Sequence, residues 1–319
     1  MLALVLLLML QSPHETTALT LLANFVAGDY EAASKDFNGI MRAALPPARL
    51  EAFAGTLNQQ VGKFRAVRGV KTGTEQGYQV IILVSEFERG TLDVRVVLDG
   101  DGKVAGLFFR PPGDVARKAA ASRFLGYKTK ARLRLPFEGE WFVFWGGRTI
   151  DENYHAAAVD QRFASDLMIV RDGVSHAGDG QKNADYYCWD AQIFAPAAGV
   201  IVESVDGIDD NVPGVMNPEA PAGNHLVIDH GNGEYSLLAH FRKGTMAVKT
   251  GDKVEAGQLL GRCGNSGNSS EPHLHYHLQN APQFGKGEGL PAQFRDYCAD
   301  GRAVAVGEPR RAQRVGACK

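Results

Sequence analysis

The sequence predicts two domains, an α+β domain at residues 15–110 and a mostly antiparallel β domain at residues 135–319. Three observations support this division. The length of 319 residues suits about two domains. Apolar residues recur at helical spacing in residues 16–55, and the period then changes to that of strands. From Leu135 onward, short strand-like runs alternate with glycine-rich turns, and helical periodicity is scarce.

The first domain is predicted to contain helices followed by a three-stranded meander. The helical pattern breaks near Gly28, and another helix begins after Pro47. The run GYQVIILVSEFERGTLDVRVVLDGDGKVAGLFFRP then predicts three strands joined by turns at residues 88–90 and 99–102. No catalytic cluster appears here, so we expect a module for substrate positioning or packing, or a plain spacer.

The segments that flank this domain carry simpler signals. Residues 1–14 open with MLALVLLLML, which is too short to span a bilayer because a spanning helix needs about 20 apolar residues. We interpret them as a signal segment for export, with the first turns of a buried helix as the alternative. No stable membrane insertion is expected after signal removal. A Pro-Pro-Gly run opens a predicted linker at residues 111–134.

Charge and cysteine content limit the possible functions. The formal net charge is −2, whereas a nucleic-acid-binding protein ordinarily carries a basic excess, so no nucleic-acid partner is expected. Four cysteines in an exported chain permit two disulfides, and we expect at least one. A Cys298–Cys318 bond would anchor the tail and leave Cys188 with Cys263; the alternative is four buried thiols. None lies in a CxxC pair, so a cysteine zinc site is not expected.

The run PHLHYHL at residues 272–278 is the feature most suggestive of chemistry. Side chains at alternating positions of a strand share one face, so His273, His275 and His277 would stand roughly 6–7 Å apart. Imidazoles buried together need a shared partner, and a metal ion is the usual one. His277 is expected either to support the site by a hydrogen bond or to lie at the surface.

Further candidate residues lie upstream of this run. NYH ends at His155, FASDLMIV places Asp166 at the start of an apolar strand, and YSLLAH ends such a strand with His240. Asp160, five residues after His155, is a rival carboxylate. The glycine-rich loop GNSGNSS precedes the histidine run.

Residues from about 150 to 280 resemble the lysostaphin/LytM-type zinc endopeptidases, which are glycyl-glycine endopeptidases and peptidoglycan hydrolases. The segments APAAGVIVES, GNHLVIDHGNGEYSLLAHF and VKTGDKVEAGQLLGRCGNSGNSSEPHLHYHL stand in the order and spacing of that family. The resemblance implies a mostly antiparallel β fold with an open sheet groove. Residues 15–110 resemble, in pattern and domain order, the nuclear-transport-factor-2-like domain of unknown function that precedes some bacterial peptidases.

The resemblance also implies the site residues. It implies one Zn²⁺ per chain, held by His155, Asp166 and His275, and a catalytic pair formed by His240 and His273. Three protein ligands would leave a fourth position for water, which is typical of catalytic zinc. One histidine of the pair would act as general base, and the other would stabilise the oxyanion or donate to the leaving amine.

One departure from the family pattern concerns the upstream ligands. The family carries His-x-x-x-Asp, whereas His155 and Asp166 are eleven positions apart. We prefer Asp166 to Asp160 because it opens an apolar strand, as the family's aspartate does. Asn224, which opens the segment NHLVID, is predicted to contact substrate.

The implied function is hydrolysis of peptide bonds in peptidoglycan cross-links or stem peptides, or in Gly-rich peptides, through a zinc-activated water. The protein would be bacterial and exported, to the periplasm or outside the cell. Three alternatives remain open. They are a catalytically silent peptidoglycan-binding protein or amidase activator of the same fold, a structural zinc site with His273 or His277 as fourth ligand, and a lipoyl- or biotinyl-type carrier suggested by VKTGDKVEAGQ.

Overall fold

The computed structural model describes residues 12–75, 77–110 and 119–318. The chain forms two compact units that divide between residues 116 and 117. Most of the predicted signal segment lies outside the described residues, although the first helix already begins at Pro13. No helix in the described ranges is long and apolar enough to cross a membrane.

In its described residues, the first unit has four helices followed by a four-stranded antiparallel sheet. Its elements are α1 Pro13–Ala27, α2 Tyr30–Ala33, α3 Gly39–Ala44, α4 Pro47–Val61, β1 Phe64–Glu75, β2 Tyr78–Phe87, β3 Gly90–Leu98 and β4 Val104–Arg110. Helix α1 begins at a capping box, in which Ser12 and Glu15 each bond the other's backbone N–H, and it ends at Gly28 in the left-handed conformation. The break that the sequence predicts near Gly28 is therefore present.

The sheet of the first unit follows the chain in the order β1-β2-β3-β4. Its inner face packs with α1 and α4 into one apolar core, to which Leu22, Phe25, Leu50, Leu83 and Val94 contribute. Strand β1 precedes the three strands that the sequence predicts. Its run FRAVRGVKTGTE escapes a pattern search because it is an edge strand, largely exposed and without alternation between apolar and polar residues.

The second unit, from residue 119 to 318, is built mainly from antiparallel strands, with short 3₁₀ helices at Tyr154–Ala157 and Asn183–Asp185. The strands are β5 Glu140–Trp145, β6 Ser165–Met168, β7 Gln192–Phe194, β8 Gly199–Val205, β9 Asn224–Asp229, β10 Tyr235–Phe241, β11 Lys253–Val254, β12 Leu259–Arg262, β13 Leu274–Gln279, β14 Gly289–Leu290, β15 Phe294–Ala299, β16 Arg302–Gly307 and β17 Arg314–Gly316. The predicted fold class, an α+β unit followed by a mostly antiparallel β unit, is confirmed.

Eleven of the described strands of the second unit form one large sheet in the order β11-β8-β9-β10-β13-β6-β5-β17-β15-β16, with β14 beside β13. Strands β7 and β12 pair separately. One face of the large sheet packs on the main core through residues such as Leu226, Leu238 and Tyr276. Because side chains alternate along a strand, the neighbours of these residues point to the opposite face, where the candidate site lies.

Residues 119–134, which the sequence assigns to a linker, pack on the second unit. Leu133 is fully buried in its main core. The buried carboxylate of Glu234 accepts hydrogen bonds from the Tyr127 hydroxyl and from the backbone N–H groups of Lys130 and Ala131. The described part of this segment therefore belongs to the β unit.

The cysteines divide into one bonded pair and two thiols. Cys298 and Cys318 form a disulfide that ties the C-terminal tail to strand β15. Cys188 and Cys263 are free and buried, so the second bond considered for them is not formed. The Cys188 thiol instead donates to the backbone carbonyl of Pro272, directly before the histidine run.

Candidate active site

A cleft of about 230 Å³ opens on the polar face of the large sheet. Five of the six predicted site residues line it, and they come from four separate stretches of chain. The five are His155, Asp166, His240, His273 and His275. Residues that the sequence scatters over 120 positions therefore meet in one place.

Strand pairing brings two of these residues together. Strand β6 lies beside β13 in a register that sets Asp166 opposite His275, and the Asp166 carboxylate lies 2.9 Å from Nδ1 of His275. His155 reaches the same carboxylate from the 3₁₀ helix, with its Nε2 3.6 Å from Oδ2. Since all three residues are buried, each offers a ligand atom in a place shielded from bulk water.

Asn153 holds His155 in position, a role that no motif in the sequence indicates. The amide nitrogen of Asn153 donates to the carbonyls of Gly147 and Ala164, which fixes its oxygen as an acceptor. That oxygen lies 2.9 Å from Nδ1 of His155, so Nδ1 carries the proton and Nε2 keeps its lone pair. The bond to Ala164 also closes the long loop between His155 and Asp166, which explains how the unusual spacing still yields a compact site.

The three side chains fit a zinc ion. Their ligand atoms all lie within 4.8 Å of one another, and those of Asp166 lie 2.9 and 3.6 Å from the two histidines. Tetrahedral Zn–N and Zn–O bonds of about 2.0–2.1 Å place neighbouring ligands roughly 3.3 Å apart. Two neutral imidazoles and a carboxylate are also a donor set that zinc commonly takes. Asp160, the rival carboxylate, is not a member of this group within the described residues.

The charge distribution favours metal binding. Burial raises the pKa of Asp166, but the neighbouring His155, His273 and His275 outweigh this effect and hold its pKa far below the usual range. Burial lowers the pKa of His155 to about 4, against the opposing effect of Asp166. At neutral pH the cluster thus presents one carboxylate and an uncharged His155, which is the protonation state that a cation requires.

His240 reaches the cleft through a local distortion of strand β10. The pairing of β10 with β9 shifts register between Ala239 and Phe241, and His240 adopts φ +66°. In a regular strand, Ala239 and His240 would point to opposite faces, yet both line the cleft. The bulge therefore turns His240 towards the metal-ligand cluster, as bulges beside active sites do.

His240 and His273 share one hydrogen-bonding arrangement. Nδ1 of His240 lies 2.7 Å from the carbonyl of Ser266, and Nδ1 of His273 lies 2.8 Å from that of Glu271. A carbonyl only accepts, so both Nδ1 atoms carry protons and both Nε2 atoms are left as acceptors. The ring centres lie 4.7 Å apart, and Nε2 of His273 is 3.6 Å from the Asp166 carboxylate. Two imidazoles beside a candidate metal position can accept and return a proton.

Asn224, the sixth predicted residue, does not reach the cleft. Its side chain is fully buried, and its amide exchanges two hydrogen bonds with the backbone of Ile208 while donating to the carbonyl of Phe241. Its polar atoms are thus engaged in holding a loop against the strand that ends with His240. We assign it a structural position in place of the predicted substrate contact.

Aromatic side chains form one wall of the cleft. Phe144, Trp145 and Tyr154 pack edge to face with ring centres 5.5 and 5.4 Å apart, and about 40% of Phe144 and Tyr154 is exposed. Met216 lies among the other lining residues with half of its surface exposed. The aromatic run WFVFW is visible in the sequence, but nothing in it shows that a strand end would turn it towards the histidines.

Comparisons with known proteins agree with the division into two units. A family model described as "Protein of unknown function (DUF3887)" matches residues 18–107, and one described as "Peptidase family M23" matches residues 182–287. The second match includes His240, His273 and His275, whereas His155 and Asp166 lie upstream of it.

Relatives match over short segments. The peptidoglycan DD-endopeptidase ShyA of Vibrio cholerae is 47% identical over 65 residues, which are 20% of this chain and 15% of ShyA. The cell division protein DipM of Caulobacter vibrioides is 30% identical over 105 residues, 33% of this chain and 16% of DipM. The chain thus spans only about one sixth of the length of these relatives.

Solved structures also match at low identity. The M23 metalloprotease Pseudoalterin is 20% identical, with 60% of this chain and 98% of that chain covered and a TM-score of 0.33. The lysostaphin catalytic domain from Staphylococcus simulans is 18% identical, with 48% and 88% covered and a TM-score of 0.27. The family matches confirm the resemblance predicted from the motifs: part of the second unit matches peptidase family M23, and most of the first unit matches DUF3887.

Proposed function

We propose that the protein is a zinc-dependent endopeptidase that hydrolyses peptide bonds in the cross-links or stem peptides of peptidoglycan. The observation that carries the proposal is the group formed by His155, Asp166 and His275 beside two histidines with free Nε2 atoms. The M23 match supports peptide hydrolysis, and the segment shared with ShyA supports peptidoglycan as substrate.

The three ligands would hold the ion and leave a position open towards the cleft. When bound, Zn²⁺ lowers the pKa of water to about 7 and polarises the scissile carbonyl. Nε2 of His240 or His273 then accepts the proton of the attacking water. The other imidazole, once it holds a proton on Nε2, stabilises the developing oxyanion or gives that proton to the leaving amine as the C–N bond breaks. The aromatic wall formed by Phe144, Trp145 and Tyr154 offers a surface for the substrate's side chains.

Export is part of the proposal. The Cys298–Cys318 disulfide fits an oxidising compartment, because such bonds persist outside the cytosol. The apolar residues 1–10 lie outside the described residues and fit the signal segment that the sequence predicts. A periplasmic or extracellular location would bring the enzyme to its substrate.

The test combines metal content with product analysis. Purified protein is assayed for bound zinc and for fragments released from purified peptidoglycan, which mass spectrometry assigns to a cleaved bond. The wild type is expected to bind one zinc ion and to release peptide fragments. His275→Ala should lose both properties, while His14→Ala, which removes a histidine from the first unit, should lose neither.

The outcomes separate the alternatives. Zinc without cleavage would favour a silent peptidoglycan-binding protein or amidase activator of the same fold. Cleavage by a metal-free protein would contradict the zinc-dependent mechanism. Cleavage of a Gly-rich peptide but not of peptidoglycan would keep the peptidase and change its substrate.

A further inference from the structure

A hydrogen-bonded chain runs along strand β13 behind His275. Nε2 of His275 lies 2.9 Å from Nδ1 of His277, and Nε2 of His277 lies 2.9 Å from Oε1 of Gln279. The three residues alternate along the strand, which places them on one face. His277 and Gln279 are fully buried, so no solvent competes for these bonds.

The far end of this hydrogen-bonded chain is the side-chain amide of Gln279, whose orientation is determined by its partners. The amide nitrogen of Gln279 lies 2.7 Å from the carbonyl of Ala281 and 3.1 Å from that of Gln283. A carbonyl oxygen only accepts, so the Gln279 nitrogen must donate both hydrogens there. The amide orientation is therefore determined, and Oε1 is the atom that faces His277.

The orientation of the Gln279 amide determines the tautomers of His277 and His275. Because Oε1 of Gln279 is an acceptor, Nε2 of His277 must carry a proton, and the neutral ring then has a lone pair on Nδ1. That lone pair accepts from Nε2–H of His275. The remaining ring nitrogen of His275, Nδ1, is left unprotonated, and it faces the carboxylate of Asp166 in the ligand group.

The arrangement matters because His275 has two possible tautomers. The carboxylate of Asp166, 2.9 Å from Nδ1, would by itself attract a proton to that atom and block it as a ligand. A neighbouring imidazole alone would not decide the matter, since His277 can accept or donate at Nδ1. The decision rests on Gln279, whose orientation two backbone carbonyls determine.

We propose that His277 and Gln279 are positioning residues that hold the proton of His275 on Nε2 and keep its Nδ1 available to the metal. The proposal rests on the proposed zinc site. Neither residue touches the ion or the substrate. Partners of this kind behind a metal-binding histidine typically change metal affinity about 10–100-fold when removed.

The first test reads the tautomers directly. In protein labelled with ¹⁵N-histidine at pH 7.5, long-range ¹⁵N–¹H spectra distinguish protonated from unprotonated ring nitrogens. His275→Gln and His277→Phe assign the two rings by loss of their signals. Both rings are expected to carry the proton on Nε2, with and without zinc. A proton on Nδ1 of His277 in either state would overturn the proposal.

The second test measures zinc affinity by competition with a chelator. His277→Phe keeps a ring of similar size but removes the acceptor, and zinc should bind about 10–100-fold more weakly. His277→Asn offers an oxygen near the place of Nδ1 and should lose less affinity. Gln279→Met should weaken zinc binding and release the His277 tautomer. His225→Phe, which replaces a buried histidine on strand β9 outside this hydrogen-bonded chain, is the matched control and should leave zinc affinity unchanged.

The results distinguish this proposal from the proposed function. A wild-type protein that binds no zinc would contradict both the zinc site and the positioning role of His277 and Gln279. If the wild type binds zinc and the variants His277→Phe and Gln279→Met bind it equally tightly, the positioning role alone is contradicted. If His277→Phe does not fold, His277→Asn, Gln279→Met and the wild-type tautomers still decide the question.

Discussion

The two sheets of this molecule treat buried polar groups in opposite ways. Among the described residues of the first unit, the buried polar side chains are Ser34, Ser85 and Asp93, and its sheet faces an apolar core. The large sheet of the second unit packs one face on a core and places histidines and a carboxylate on the other. Burying such groups costs free energy unless a partner compensates, so the second sheet points to a ligand and the first to packing.

The connectivity of the two sheets differs as well. The first sheet pairs strands that follow one another along the chain. In the second, β13 lies between β10 and β6, and the contact between Asp166 and His275 joins residues 109 positions apart. Long-range pairing of this kind lets ligands from distant segments meet on one face, and it makes the site depend on the whole unit being folded.

The largest expected effect comes from Asp166→Asn. The amide keeps the size of the side chain but removes the negative charge that lies beside His155, His273 and His275. We expect loss of stoichiometric zinc and of detectable peptidoglycan cleavage, measured by metal analysis and fragment release. Asp36→Asn removes a half-exposed carboxylate of the first unit, which pairs with Lys103, and should change neither property. Retained zinc in the Asp166 variant would mean that the ligand set is wrong.

Substitution of the histidine pair should leave the metal in place. His240→Ala and His273→Ala each remove an imidazole that can move a proton, and such groups contribute about 10²–10⁴-fold to rate. We expect kcat to fall by roughly that factor while zinc content stays at one per chain. A variant that loses zinc together with activity would instead place its histidine among the ligands.

The sequence predicts the residues of the candidate site better than it predicts the residues that orient them. The motifs around His240, His273 and His275 predict the cleft residues because their spacing resembles that of a known family. The orientation of His155 by Asn153 escapes prediction, since it depends on a loop that closes only in the folded chain. The bulge at His240 has no signal in YSLLAHF, because a regular strand reads the same way.

Errors at the level of single elements have similar causes. Strand β1 is missed because an exposed edge strand needs no apolar alternation. Asn224 is misplaced because a polar residue at a strand end can equally serve the backbone, and burial decides between the two roles. Residues 119–134 read as a linker because Glu234, which anchors them, lies more than 100 positions away.

Acid should destabilise the metal-free second unit more than the first. The unfolded chain binds a proton at His155 near pH 6.5, whereas the folded chain binds it only at about pH 4. The contribution of His155 to the free energy of unfolding is therefore fully present above pH 6.5. It is lost as the pH drops to 4, which lowers the free energy of unfolding by about 3 kcal/mol. His240 and His277, whose pKa values burial also lowers, act in the same direction.

Urea unfolding followed by tryptophan fluorescence would measure this effect, because all three tryptophans lie in the second unit. Circular dichroism at 222 nm would follow the helices of the first unit, whose described residues include no buried histidine. If the urea concentration at the midpoint of the fluorescence transition is the same at pH 6.5 and pH 4, the burial of neutral histidine is contradicted. Saturating zinc should raise the free energy of unfolding at both pH values without abolishing the shift, since it binds the folded, unprotonated site while the unfolded chain still takes up protons.

The smallest expected effects come from a matched pair of serines, one buried in each sheet. Ser85 donates one hydrogen bond to the carbonyl of Leu83, so Ser85→Ala should lower the free energy of unfolding by about 1 kcal/mol or less. Ser236 lies 2.8 Å from both Nε2 of His230 and the Tyr276 hydroxyl. Ser236→Ala leaves the buried Tyr276 hydroxyl and the half-buried His230 imidazole without that partner and should cost about 2–3 kcal/mol. Equal losses would show that the second unit tolerates unpaired buried polar groups as well as the first, and would contradict the contrast between the two sheets.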